Sequence, residues 1–231
     1  MYYCEYYNTL PGPEDAFSNL DRAAFRRLFK RACKAVHNYN MDGKLHLFLK
    51  HKHSSVQENE VMVESEYVSA DQKFGFATSP SAYHRGLVPS SWTVEDSQIL
   101  PFEFFDPDLA SKIEPITRQN AVSEVAALIV AEHLEQEIGV GLADRPSTRN
   151  LARDTLFVER IEDDDHYQQI VLPYRRDEVT IKNPVPTRWI IGGSNDKRMT
   201  ASLECEPVIV CIPRSPGHAE ENQGHINSDD P

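Results

Sequence analysis

Several familiar signatures are missing from this chain. It has no H-E-x-x-H, no zinc-ribbon cysteine spacing, no dinucleotide-binding glycine fingerprint and no phosphate loop. Gly192-Gly193-Ser194-Asn195 reads as a turn and lacks the G-x-S-x-G nucleophile frame. Cysteine is scarce: Cys4, Cys33, Cys205 and Cys211 are the 4 in 231 residues, and none forms a C-x-x-C pair. That usage predicts no disulfide framework. Positive charge is also short, with 24 Lys and Arg against 36 Asp and Glu, a net charge of −12. Such a balance disfavours unspecific binding to nucleic acid or an anionic membrane, although a local basic patch can still act. The apolar run Val125 to Ala131 is far too short for a bilayer, which predicts no membrane partner. Met1 is followed by tyrosines and a cysteine, with neither a basic nor an apolar leader region. This predicts an intracellular protein, cytoplasmic or nuclear.

What is present resembles ordinary globular usage, with 40% hydrophobic and 26% charged residues. The 15 prolines exceed the 10 glycines and predict many fixed turns. The pattern divides into an aromatic arm (1–13), one domain (14–213) and a polar tail (214–231). The tail has almost no apolar residue and is expected to be disordered. Tyr2, Tyr3, Tyr6 and Tyr7 make the arm dense in aromatics, so it is expected to dock on the domain, as a strand.

Two helices are expected. Asn120 to Ile138 is the most apolar long segment, with a wide apolar face and Asn120 as its cap, and Gly139 and Gly141 supply a stop. His133 and Glu137 would lie one turn apart on it. They are candidate catalytic groups, a general base oriented by a carboxylate; the plainer reading is a pair near the helix end. The first helix is expected from Ser18 to Val36, with Phe25, Leu28, Phe29, Ala32 and Val36 as its stripe. Arg22, Arg26, Arg27, Lys30, Arg31 and Lys34 line the remainder without an acid among them. They form a candidate partner-binding face; the competing reading is a solvated surface balanced by acids elsewhere.

Strands are expected where the period changes to two. Lys44 to Lys50 alternates, with Leu45, Leu47 and Leu49 on one side and His46 and Phe48 on the other. Val61 to Tyr67 follows and predicts a hairpin. Residues 69 to 118 resist assignment beyond short strands near Lys73 to Ala77 and Trp92 to Glu95. Thr155 to Glu162, Tyr167 to Tyr174, Glu178 to Lys182, Thr187 to Ile191, Met199 to Glu204 and Val208 to Ile212 complete the set. The sum is an α+β fold: a mainly antiparallel sheet of about five to seven strands, an N-terminal amphipathic helix and one long buried central helix. Strand order is not readable, and the sheet could curl into a barrel.

His51, His53 and Glu58 are candidate metal ligands, since two histidines two apart on a strand can reach one ion. The string resembles the first metal motif of cupins, which pairs H-x-H with a glutamate a few residues on. Gly43 lies too far upstream for that motif, and no second motif follows. Asp163, Asp164 and Asp165 could ligate a hard cation, but also read as a hairpin turn. A nuclease of the PD-(D/E)xK type needs acid-x-Lys after its first acid. Pro107-Asp108 is present, but Thr180 stands where an acid should precede Lys182. Two function classes remain. The first is a protein-interaction or scaffolding module without catalytic activity or cofactor; the basic helix also leaves nucleic acid open. The alternative is an enzyme using a divalent metal on a phosphate-containing or small-molecule substrate.

Overall fold

A computed structural model describes residues 3–52, 54–112, 119–143, 155–162, 168–175, 177, 184–192 and 209–211. Its helices are α1 (Tyr3–Thr9), α2 (Pro13–Asn19), α3 (Arg22–Asn38), α4 (Pro107–Ser111) and α5 (Gln119–Ala131). Its strands are β1 (Leu45–Leu49), β2 (Glu60–Val68), β3 (Phe74–Ala82), β4 (Val88–Glu95), β5 (Gln98–Phe105) and β6 (Ile138–Leu142). They continue as β7 (Thr155–Glu162), β8 (Gln168–Arg175), β9 (Val185–Ile191) and β10 (Ile209–Cys211). The strands close into one ring in the order β1-β6-β4-β5-β2-β3-β8-β7-β10-β9, and β9 pairs back onto β1. The β2–β5 and β7–β10 pairs are parallel; the others are antiparallel. Closure leaves the ring without an edge strand. Among the described residues no helix is long and apolar enough to cross a membrane.

This corrects the expected α+β fold of five to seven mainly antiparallel strands around a long central helix. The described residues are mostly sheet, the sheet is mixed, and among them no helix runs through its centre. Three local features explain the difference. First, the helix expected over Asn120 to Ile138 stops at Ala131. His133 takes a left-handed backbone (φ 58°), and amides 132 to 134 bond back to Leu128, Ile129 and Val130 carbonyls. The chain turns there, and Ile138 opens a strand. Second, β1 and β2 are not a hairpin: β1 pairs with β6 and β9, and β2 with β3 and β5. Third, the arm is helix rather than strand, and Asp21 rather than Ser18 caps α3, accepting from the amides of Ala23 and Ala24. The strands expected at Glu178 to Lys182 and Met199 to Glu204 and the acids 163 to 165 lie outside the described residues, as does the tail.

Side-chain alternation sorts the two faces of the ring. Leu45, Leu47 and Leu49 of β1, Ile138, Val140 and Leu142 of β6, and Trp189 and Ile191 of β9 join one cluster with the helices. From α3 that cluster takes Phe25, Leu28, Ala32 and Val36; from α5 it takes Val122, Val125 and Ile129. The Phe25 and Trp189 rings lie 4.6 Å apart. The helices therefore cover the outside of β1, β6 and β9. The alternate residues, His46 and Phe48 on β1 and Arg188 on β9, are buried on the inner face. Gly139 and Gly141 also face inward, opposite Phe48 and His46 in register. A Cβ on Gly139 would stand 2.2 Å from the Phe48 ring, and one on Gly141 2.7 Å from His46 Nε2. These glycines are not helix stops; they make room for larger cross-strand neighbours.

Candidate functional site

The closed ring brings together polar residues far apart in sequence. Arg188 on β9 lies across the ring from β2 and β5, so its contacts with them must run through the interior. Its Nη2 is 3.5 Å from Glu103 Oε2 and its Nη1 is 3.9 Å from Glu64 Oε2. Its guanidinium carbon stands 5.7 Å from the Phe76 ring centre. Glu159 of β7 accepts from the Thr187 hydroxyl at 3.1 Å and lies 3.7 Å from His51 Nε2. The other His51 nitrogen, Nδ1, donates to the Leu49 carbonyl at 2.7 Å. Glu103 also accepts from the Ser91 hydroxyl at 3.3 Å. Burial works against the Arg188 charge, but Glu103, Glu159 and Glu64 outweigh it and hold its pKa above the ordinary arginine value.

Helix α1 closes one mouth of this interior. Tyr7 is buried and its ring centre lies 5.7 Å from that of Phe102. Beneath it remains a cavity of about 10 Å³, lined in part by Tyr7, Phe48, His51, Gln169 and Arg188. That volume admits about one water molecule and no organic substrate. Nearby, buried Lys50 donates to Glu95 Oε1 at 3.1 Å and to the Glu135 carbonyl at 2.7 Å. Burial pushes its pKa down, while Glu95 pulls in the opposite direction.

The candidates from the sequence fall in different places. His133 is exposed in the turn after α5, and Glu137 is half-buried at the end of that turn, so they share no helix. Burial pushes the Glu137 carboxyl above the usual range, and its main-chain carbonyl accepts from the Lys50 amide at 2.7 Å. His51 reaches the interior, Glu58 is exposed in a turn, and His53 lies outside the described residues. Among the described residues, no group of three or more His, Cys, Asp or Glu side chains is placed to hold a metal ion. No family model, curated protein or solved structure matches this chain.

The basic face of α3 is the remaining candidate. Arg22, Arg26, Arg27, Lys30, Arg31 and Lys34 are all exposed. They form two rows. Arg27 and Arg31 converge on Glu132, at 2.9 and 2.8 Å. Arg22, Arg26, Lys30 and Lys34 follow at intervals of four and make a stripe about 18 Å long at 1.5 Å per residue. Arg22 lies over the Phe17 ring, 4.8 Å from its centre. Among the described residues Arg26, Lys30 and Lys34 make no ion pair. Sequence periodicity finds this stripe; the Arg188 cluster it misses, because Glu64 and Arg188 sit in alternating strands where charge reads as a solvated face.

Proposed function

We propose that the protein is a non-catalytic interaction module that docks an acidic segment of a protein partner on the α3 stripe. The observation that carries this reading is the row Arg22, Arg26, Lys30, Lys34: exposed, spaced by four, and without a carboxylate beside Arg26, Lys30 or Lys34 among the described residues. An acidic chain is otherwise rich in acids to neutralise such a row. Instead Glu132 closes only the neighbouring row. A rigid helix packed on the barrel presents the four cations without a conformational change, which limits the ordering cost of binding. Two features favour binding over catalysis as the main role: Glu103 and Glu64 stand 3.5 and 3.9 Å from the buried Arg188 guanidinium and oppose its charge, and the cavity beneath α1 is about one water in size.

The test is a titration of a labelled glutamate-rich peptide against the wild type and Arg26→Glu/Lys30→Glu/Lys34→Glu. The reading expects saturable binding that weakens with salt and is lost in the variant while the thermal transition is retained. Equal binding by both proteins refutes it. Tighter binding of a DNA duplex than of the peptide would transfer the stripe to nucleic acid.

A further inference from the structure

We propose that the barrel mouth beneath α1 is a helix-docking site, and that the α1 of a second copy of this chain can occupy it. Helix α1 sits in the mouth as a ligand sits in a groove. It adds no strand to the ring and is held by side chains at helical spacing. The parallel ladder between β2 and β5 is short, Val63 with Phe104 and Glu64 with Phe105. Where it ends, the Tyr3 hydroxyl bridges the seam: it accepts from the Met62 amide at 3.3 Å and donates to the Phe102 carbonyl at 2.6 Å. Tyr7 covers the aromatic floor of Phe48 and Phe102. The Tyr6 hydroxyl meets that of Thr93 at 3.3 Å. Asn8 reads the main chain of Val56 in both directions, donating to its carbonyl at 2.8 Å and accepting from its amide at 2.9 Å. Lys52 closes the end of the helix, donating from Nζ to the Asn8 carbonyl and from its amide to Pro11 at 3.0 Å.

These contacts specify a pattern: tyrosine, tyrosine three and four residues on, then asparagine. A second copy carries that pattern by construction. The link to the rest of the chain is Pro11-Gly12-Pro13, and among the described residues beyond its chain neighbours nothing lies within 4 Å of where a Gly12 side chain would begin. A hinge of this kind lets the same helix fill the same mouth from its own chain or from a neighbour, so exchange costs no contact. A seven-residue helix is too short to persist in water, and an unoccupied mouth would leave the Met62 amide and Phe102 carbonyl without the Tyr3 hydroxyl. Both partners therefore gain when the mouth is filled. The resident helix, tethered at an effective concentration on the order of millimolar, competes with any helix from outside.

The experiment uses a labelled synthetic peptide of residues 1–12 and two full-length chains, the wild type and Tyr7→Ala/Asn8→Ala. The variant, whose own helix is weakened, should bind the peptide at least about tenfold more tightly than the wild type, with a rise in its melting temperature. The peptide carrying Tyr7→Ala should not compete. A folded variant that fails to bind the peptide overturns the docking site. If the variant does not fold, hydrogen exchange of the wild type decides: α1 amides exchanging well before those of α3 support a detachable helix, and exchange in step with α3 refutes it. In concentrated wild-type protein, a dimer dissolved by the peptide is expected; a monomer up to about millimolar concentration rules out the second copy as occupant.

Discussion

Arg188 and Arg26 carry the same group in opposite surroundings. Arg188 is buried with Glu64, Glu103 and Glu159 gathered around it from three other strands. Arg26 stands exposed on α3, in a row where no acid among the described residues pairs with Arg26, Lys30 or Lys34. In a chain with 36 acids and 24 bases, carboxylates are plentiful, so their placement is informative. Where the ring delivers several to one cation, the cation holds strands together. Where a row of cations is left without them, the charge stays exposed to solvent. Glu132 marks the boundary between the two cases, since it neutralises Arg27 and Arg31 and stops there.

The sharpest way to break this contrast is Arg188→Met. Removing the cation strands buried carboxylates, so unfolding in urea should show a loss of about 3–5 kcal/mol. Binding of an acidic peptide to the folded fraction should not change. Gly139→Val comes next. Its side chain would enter the space of the Phe48 ring, and overpacking should cost about 1–3 kcal/mol in the same assay. Lys50 gives a smaller, pH-dependent effect. Burial holds its folded pKa below the unfolded value, so folding expels a proton between the two. Stability should therefore rise with pH through the window just below the ordinary lysine range, and Lys50→Met should flatten that rise. The smallest change in stability is expected for Glu132→Gln, yet it sharpens the contrast most on the binding side. With Arg27 and Arg31 freed, the acidic peptide should bind more tightly. Those arginines hold the Glu132 carboxyl below its usual range, so the ion pair persists into acid and is lost only as pH falls through that depressed value.

The parts of the fold legible in sequence are those with a strong local period. The α3 stripe, the alternation of β1 and the strands from Thr155 and Thr187 all follow from residues close together in the chain. Closure is not local. β1 finds β6 more than eighty residues away, and β5 carries Pro101 opposite bulges in β4, which blurs its alternation. The run from Asn120 to Ile138 reads as one helix because Leu134 and Ile138 keep a helical spacing past Ala131, while the turn depends on His133 taking a left-handed backbone. Glu64 and Glu66 show the same limit. Both fall on the same side of β2 in the alternation, yet Glu64 is buried beside Arg188 and Glu66 is exposed and pairs with Lys112. Of the candidate site, the α3 row could be read directly, and the interior cluster needed the ring.

If the α3 stripe carries the ligand and the barrel interior carries structural charge, the two regions answer an acidic peptide differently. Chemical-shift mapping by NMR during titration with the glutamate-rich peptide tests that difference most directly. Perturbations are expected to follow Arg22, Arg26, Lys30 and Lys34, saturate together and shrink with salt, while signals of Glu64, Glu103, Glu159 and Arg188 stay in place. Perturbations centred on Arg188 and His51, with the α3 row unmoved, would contradict this reading.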